Sequence, residues 1–403
     1  MKEIKPQHFT GIIAATFAVS LGILICSTKF AEKTKLSAFG GHIPLNSDVF
    51  RLKAEYIHTS EQTNLYNAFV IGGSKAGAID TNQLNDATGE EFYNCWVSAL
   101  CFEDYEACLE YFWEESKGQM KEILLHLSSH TAERPTSRYN LSILHPDSAQ
   151  SKLEKLRKEF KRYTNLEWLS ILLRIDNSST ERTKNDGSRE FEKSYEEMMM
   201  NPNKYIKDYV FNYWGWYHDC LEKFFTKDAE ETLTACESNI ECLKRIKQKC
   251  LERGIKLTIV VGPTFVSELC KYSSKKYIQY MKDFVSVCPV WNFSGINDIN
   301  LNPYNFRDGG HYFDFVGEKI INTVYGHNEA NTSNFDEFGI FLTPENIDMY
   351  IESQRQKWIA LKAQWNKTGD IKLGTMSDES FLGKSSKAPA PKTDSVIKVN
   401  SRN

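Results

Sequence analysis

A short apolar run that stops on two glycines and a serine, Ala68-Phe69-Val70-Ile71-Gly72-Gly73-Ser74, constrains this chain more than any other stretch. Four consecutive apolar residues bounded by turn residues are the pattern of a strand buried on both faces, as in a parallel sheet. The two glycines permit a tight turn, and the residues after Ser74 can open a helix. The serine hydroxyl then stands at the carboxyl end of a sheet, beside outward-pointing backbone N–H groups. Ligands of open α/β sheets bind at that edge. Gly-Ser runs also occur as plain turns, so the stretch has to be weighed with the rest of the chain.

The clearest helix–strand unit spans 228–262. Leu233, Cys236, Ile240, Leu243, Ile246 and Cys250 recur at three- and four-residue spacing, Gly254 stops the helix, and Ile255 to Val261 follows as a strand. Lys121 to Leu127 reads as a second buried strand and Pro289 to Phe293 as a short one. Helical spacing appears at 103–118, with Tyr105, Leu109 and Phe112 on one face, and again from Tyr277 to Val285. Strands alternating with helices predict an α/β fold, a three-layer parallel sheet flanked by helices. The 403 residues allow one large domain with insertions or two ordinary ones.

The expected organisation is an α/β domain over 61–330 with a helical insertion at about 145–225. Within the insertion, Asp147 to Arg174 carries a helical stripe of Leu153, Leu156, Phe160 and Tyr163, and the polar stretch 175–203 is expected to be mobile. The cluster Tyr213-Trp214-Gly215-Trp216-Tyr217-His218 fits either a sugar-stacking platform or core packing. A helical extension follows at 331–374. It starts at Thr343-Pro344-Glu345 and has an apolar face of Ile347, Ile351, Trp358, Leu361 and Trp365. That face either packs on the domain or meets a partner. Residues 375–403, rich in Ser, Lys and Pro, read as a disordered tail.

Residues 9–28 carry no charge and are long enough to cross a hydrocarbon core of about 30 Å. The stretch 1–28 is read as an uncleaved signal anchor, with a cleaved signal peptide as the alternative; 29–60 is a connector, and the main domain is exported. A net charge of −4 offers no basic field for nucleic acid. Ten cysteines without a Cys-x-x-Cys pair argue against a zinc ribbon or a thioredoxin-type site; most read as small buried hydrophobes, with Cys236 and Cys250 on the apolar face of their helix. One or two disulfides are compatible with export but cannot be paired from sequence.

The second chemistry-bearing stretch is Asn305-Phe306-Arg307-Asp308-Gly309-Gly310-His311-Tyr312-Phe313. An Asp three residues before a His, with two glycines between, lets a short turn bring the carboxylate to Nδ1 and leaves Nε2 to face a serine. Serine is inert at neutral pH until a positioned base takes its proton, and such help is typically worth about 10²–10⁴-fold. An Asp-x-x-His turn can also be plain hydrogen-bonded structure or half of a metal site, but no second histidine stands at metal-ligand spacing. His126, inside a strand, reads as a core residue. Ser74, His311 and Asp308 are the candidate catalytic residues.

In its order, strand–Gly-x-Ser early and Asp-x-x-His late, the chain resembles the SGNH/GDSL hydrolase superfamily. It is most similar to the membrane-anchored branch that includes the alginate O-acetylation and teichoic-acid D-alanylation proteins. The resemblance spans roughly residues 60–325. It rests on the N-terminal span, Ile71-Gly72-Gly73-Ser74-Lys75, Ile79-Asp80, Phe92-Tyr93-Asn94 and Asn305 to Tyr312 before a helix with Gly317. It implies a flavodoxin-like sheet and acyl transfer through Ser74, His311 and Asp308. The group transferred would be acetyl, the acceptor a cell-surface polysaccharide, the donor a polytopic membrane acyltransferase, and no metal or organic cofactor would be needed. Esterase and transferase both fit. By the same resemblance, Gly73, Lys75 and Asn94 are weak oxyanion or substrate candidates. The chain departs from the pattern where Gly73 replaces an Asp, where no glycine follows Asn94, and where Gly262-Pro263-Thr264 lacks the amide donor. Those departures favour a second class, an inactive scaffold or glycan-binding protein with the same fold.

Overall fold

The computed structural model describes residues 48–59, 65–128, 136–137, 139, 141–144, 184, 186–212, 216–226, 237–270, 275–326 and 330–376. The apolar stretch 9–28, the 147–174 stripe and most of the tail lie outside them. Among the described residues no helix is long and apolar enough to cross a membrane.

Among the described residues there are eight strands. Five form the body of the sheet: β1 (Ala68–Gly72), β2 (Phe92–Trp96), β3 (Glu122–Leu127), β4 (Lys256–Val261) and β5 (Val290–Asn292). A separate hairpin pairs β6 (Phe306–Asp308) with β7 (His311–Tyr312), and β8 (Ile340–Leu342) returns to the sheet. The six-stranded order is β2-β1-β3-β4-β5-β8, parallel except for the antiparallel β8. Its first five strands follow the 2-1-3-4-5 order of flavodoxin-like doubly wound sheets, in which the switch in winding direction opens a crevice beside β1.

Helices cover both faces, as they must when a strand is apolar on both sides. Phe69, Ile71, Ile123 and Leu125 point to one core, shared with α1 (Asp48–Thr59) and, beyond α2 (Thr81–Thr88), with α3 (Phe102–Glu115). Ala68, Val70 and Leu124 point to the other, where α2 adds Leu84. Phe69, Val70 and Ile71 are each at most 1% exposed. Each such side chain contributes about 1.5–3 kcal/mol of transfer free energy. The other helices of eight or more residues among the described ones are α4 (Glu192–Met200), α5 (Trp216–Thr226), α6 (Glu237–Arg253), α7 (Lys275–Val287), α8 (Asp314–Tyr325) and α9 (Ile347–Thr368). Of these, α6 and α7 join the first core, α4, α5 and α8 the second, and α9 reaches both.

Several expectations are corrected. The 29–60 connector contains α1, whose Phe50, Ala54 and Ile57 are buried, because its apolar residues recur at helical spacing within a polar stretch. The boundary at 330 is crossed by β8, so the C-terminal extension completes the same sheet. Part of the supposedly mobile 175–203 stretch is ordered: Asp186 O accepts from Asn94 N along the edge of β2, Ser188 and Arg189 are buried, and α4 follows. Thr343-Pro344-Glu345 leads into α9 as a turn, with Thr343 Oγ1 accepting from Glu345 N and Thr343 O from Ile347 N, so the helix begins as expected although its regular part starts at Ile347. The α9 face packs on the domain, Trp358 against Phe224 and Trp365 against Phe225. Tyr217 is fully buried against Phe211 and Phe265, which makes it core rather than a sugar platform; 213–215 lie outside the described residues. On α6 the buried face carries Cys242 with Cys250, and Cys236 lies outside the described residues. Among the described residues no disulfide is present, and seven of the eight cysteines are buried, as small hydrophobes would be.

A ladder of ion pairs joins α3 to α6: Glu106 to Arg245 and Lys249, and Glu110 to Lys249 and Arg253. Partial burial works to raise the Glu106 pKa, but hydrogen bonds from Arg245 and Lys249 outweigh it and bring it down to about 2. A lowered carboxylate pKa stabilises the fold above the unfolded-state value of about 4.3, and that contribution is lost as pH falls through the folded value. Glu106→Gln is expected to cost about 1 kcal/mol at pH 7 once solvent screening is discounted. Denaturant unfolding of both proteins between pH 7 and 2 checks this: the gap should close on acidification, and a gap independent of pH would rule out the ionic origin.

Candidate active site

β1 ends at Gly72, and the chain turns at once. A Cβ on Gly72 would lie 2.6 Å from Ala76 Cβ and 2.7 Å from His126 O, so only glycine fits where the turn crosses the neighbouring strand. Gly73 has extended backbone angles and leads into a 3-10 turn, Ser74–Ala78. Asn94, at the centre of β2, holds that turn: its Nδ2 donates to Ala76 O and Ile79 O, each at 2.9 Å, and its Oδ1 accepts from Trp96 N. From the far side α8 presents Gly317, where an added Cβ would lie 2.0 Å from Ala78 O. The Ser74 turn is therefore held between β2 and α8.

The other half of the site is the β6–β7 hairpin. Its Gly309-Gly310 turn lets Asp308 Oδ1 accept from Gly310 N at 2.9 Å and from His311 Nδ1 at 2.8 Å. A π-turn, Ile206–Phe211, supports the hairpin from outside. Gly309 N donates to Tyr209 O, and Tyr205 at the start of the turn donates its hydroxyl to Arg307 O. His311 Nε2 lies 2.7 Å from Ser74 Oγ. An ionised carboxylate only accepts, so Nδ1 carries the ring proton and Nε2 of the neutral imidazole accepts from the serine hydroxyl. Asp308 is buried, which by itself would raise its pKa. The charge the His311 ring carries when protonated, its hydrogen bond, Arg307 and the Gly310 N–H outweigh burial and hold it below the ordinary carboxylate range. It stays an anion beneath the imidazole.

Ser74, His311 and Asp308 come together; the weaker candidates separate. Gly73 borders the site: a Cβ there would lie 3.9 Å from the amide nitrogen of Ala99 and meet nothing closer. Lys75 turns inward, only 4% exposed, with Nζ 2.7 Å from Glu268 Oε2, so it does not face a substrate. Asn94 has both amide hydrogens committed to the Ser74 turn and cannot donate to an oxyanion. Its role is to position Ser74. Thr264 is fully buried and its N–H goes to Asn300 Oδ1.

Ala99 is the feature that sequence reading missed. It follows β2 with φ at 55°, a left-handed conformation that costs an alanine about 1–2 kcal/mol. Its loop is pinned by Val97 N donating to Gly72 O and by the Tyr139 hydroxyl donating to Ser98 O. Among the described residues nothing accepts from the Ala99 N–H, which lies beside the open face of Gly73. A glycine there would have announced the backbone; an alanine does not. Strained backbone beside the Ser74–His311 pair is the kind that clusters at functional sites.

A serine, an imidazole and a carboxylate in this order can move a proton off the hydroxyl, hold it on the ring and return it to a leaving group. No protein-family model and no curated protein matches this chain, so what it does is argued from these residues.

Proposed function

We propose that the chain is an exported, membrane-anchored acyl-transfer enzyme, an O-acetyltransferase or acetyl esterase acting on cell-surface polysaccharide. The observation that carries the chemistry is the continuous hydrogen-bond chain Ser74–His311–Asp308, with links of 2.7 and 2.8 Å. Ser74 Oγ attacks the ester carbonyl carbon while its proton passes to His311 Nε2. Asp308 stabilises the imidazolium, and the carbonyl oxygen becomes the oxyanion. Ser74 N–H and Ala99 N–H are the donors assigned to it. Collapse breaks the bond to the alcohol oxygen, which leaves with the proton from Nε2. Water or a sugar hydroxyl then gives its proton to His311 Nε2 and takes the acyl group, and Ser74 Oγ leaves with that proton, which restores the neutral ring.

Acetyl as the group, polysaccharide as the acceptor, and a polytopic membrane acyltransferase as donor rest on the resemblance described for the sequence. Anchoring rests on the uncharged stretch 9–28. The second reading, an inactive scaffold or glycan-binding protein, draws on the burial of Thr264 and the commitment of the Asn94 amide. One experiment separates them. Full-length protein is incubated with an activated acetyl ester, quenched in acid and digested, and the peptide carrying Ser74 is weighed. An added acetyl group on Ser74, absent when His311 is replaced by alanine, is expected. An unmodified Ser74 at every time point, with no acid released, would leave the scaffold.

A further inference from the structure

The catalytic histidine of the proposed triad rides on a strand of two residues, and that strand is not part of the main sheet. The nucleophile is an extension of β1, at the sheet's centre. Keeping Nε2 at 2.7 Å from Oγ requires that the hairpin be fixed relative to the sheet, and a β6–β7 ladder alone cannot do that. The anchors through Tyr205 and Tyr209 reach the π-turn outside, and Phe313 N donates to Asn305 O at the hairpin's own base.

Phe306 and Tyr312 pack in the second core with Val70, Leu124 and Val260, and among the described residues one side-chain hydrogen bond also crosses to the sheet. The Tyr312 hydroxyl lies 2.7 Å from His126 Nε2. His126 sits on β3 directly opposite Gly72 in the parallel register, two residues before Ser74. The chain makes room for this imidazole on both sides. A Cβ at Gly262, just past β4, would lie 2.3 Å from His126 Cε1, and one at Gly72 would lie 2.9 Å from His126 Cβ. Both partners are buried, His126 at 0% and Tyr312 at 1% exposure, and His126 Nδ1 has no hydrogen-bond partner among the described residues. A buried imidazole with one nitrogen unsatisfied costs stability as a core residue, so packing alone does not account for it.

We propose that His126 and Tyr312 form a positioning pair that ties the His311 strand to the sheet beside Gly72 and so sets the Ser74–His311 distance. The inference rests on the triad reading for its consequence, but its geometry does not. Burial, and secondarily the charge of Lys75, lower the His126 pKa to about 3, and burial raises that of Tyr312. Both stay neutral, and the tie does not open or close with physiological pH. It acts through His311 and touches no reacting atom.

The test uses Tyr312→Phe and His126→Gln in the full-length chain with ¹⁵N-labelled histidine. The primary reading is the His311 Nδ1–H resonance, assigned by its loss in His311→Gln. The secondary reading is the rate at which a fluorophosphonate labels Ser74. Tyr312→Phe, which removes one oxygen and keeps the ring, is expected to shift or broaden the resonance. It should also slow labelling on the order of 10- to 100-fold, the scale of a misplacement near 1 Å. The pH profile should keep its shape. Glutamine at 126 can place its amide where Nε2 stood, and should preserve both readings. An unchanged resonance in Tyr312→Phe overturns the proposal. A loss in His126→Gln beside an unchanged Tyr312→Phe would place the effect in packing on β3 and not in the hydrogen bond. If wild-type Ser74 is never labelled, the hydrolase reading fails, and the resonance still decides the tie.

Discussion

Alanine at Ser74 or at His311 is expected to lower hydrolysis of a chromogenic acetyl ester by at least about 10³-fold. The two side chains act as one unit: the hydroxyl has no base without the imidazole, and the imidazole has no nucleophile without the hydroxyl. Combining the substitutions should therefore cost little more than the worse single one, whereas independent contributions would multiply. Both variants should unfold within about 1 kcal/mol of wild type, because both side chains are partly exposed and neither holds the fold together. KM should change much less than kcat, since the interaction removed exists mainly in the transition state. The measurement is a full rate–concentration curve for the four proteins in detergent or nanodiscs. A Ser74→Ala protein within tenfold of wild type would sink the nucleophile assignment, whatever His311→Ala does. A double variant slower than either single by the product of their losses would mean that His311 serves another step.

What could be read before the structure, and what could not, follows from where each signal is stored. β1, β3 and β4 are apolar on both faces, so their burial is written in consecutive residues. β2 was hidden because its centre is Asn94, a polar residue placed in the core to bind two carbonyls of the nucleophile turn. A local pattern cannot show that the partner of a buried amide lies on another segment. β8 is three residues long, too short for any periodicity, and is a strand only because β5 is there to pair with it. At the site, Asp308 and His311 were legible because a two-glycine turn brings them together locally. Their relation to Ser74 spans 237 positions and no local rule contains it. Lys75 was singled out for its neighbour in sequence, whereas its side chain is taken up by Glu268, 193 positions away. Ala99 carried no signal at all, since its conformation is imposed by the loop and not chosen by the residue.

Gly317→Ala is expected to be among the most damaging glycine-to-alanine changes in the described residues, at about 3 kcal/mol of unfolding free energy. The added carbon would stand 2.0 Å from Ala78 O and 2.9 Å from Ala78 C, both backbone atoms. A flexible side chain could swing away, but this carbonyl ends the turn that carries Ser74, and Asn94 grips the same turn at Ala76 and Ile79. Either α8 lifts off the sheet, which uncovers the buried Phe315, Val316 and Ile320, or the nucleophile turn moves. The first route lowers stability alone. The second also separates Ser74 from His311 and lowers kcat on the order of 100-fold. Gly254→Ala supplies the reference, because Gly254 has φ at +67° and an added Cβ there would meet nothing within 4 Å. It should cost about 1 kcal/mol of backbone strain and leave turnover untouched. Denaturant unfolding and ester turnover measured on both variants separate the routes. Equal stability losses for the two glycines would show that α8 yields freely. A large loss at Gly317 with normal kcat would place the yielding in the helix and leave the nucleophile turn rigid. Loss of both would identify the α8–turn contact as what holds the serine in register with its base.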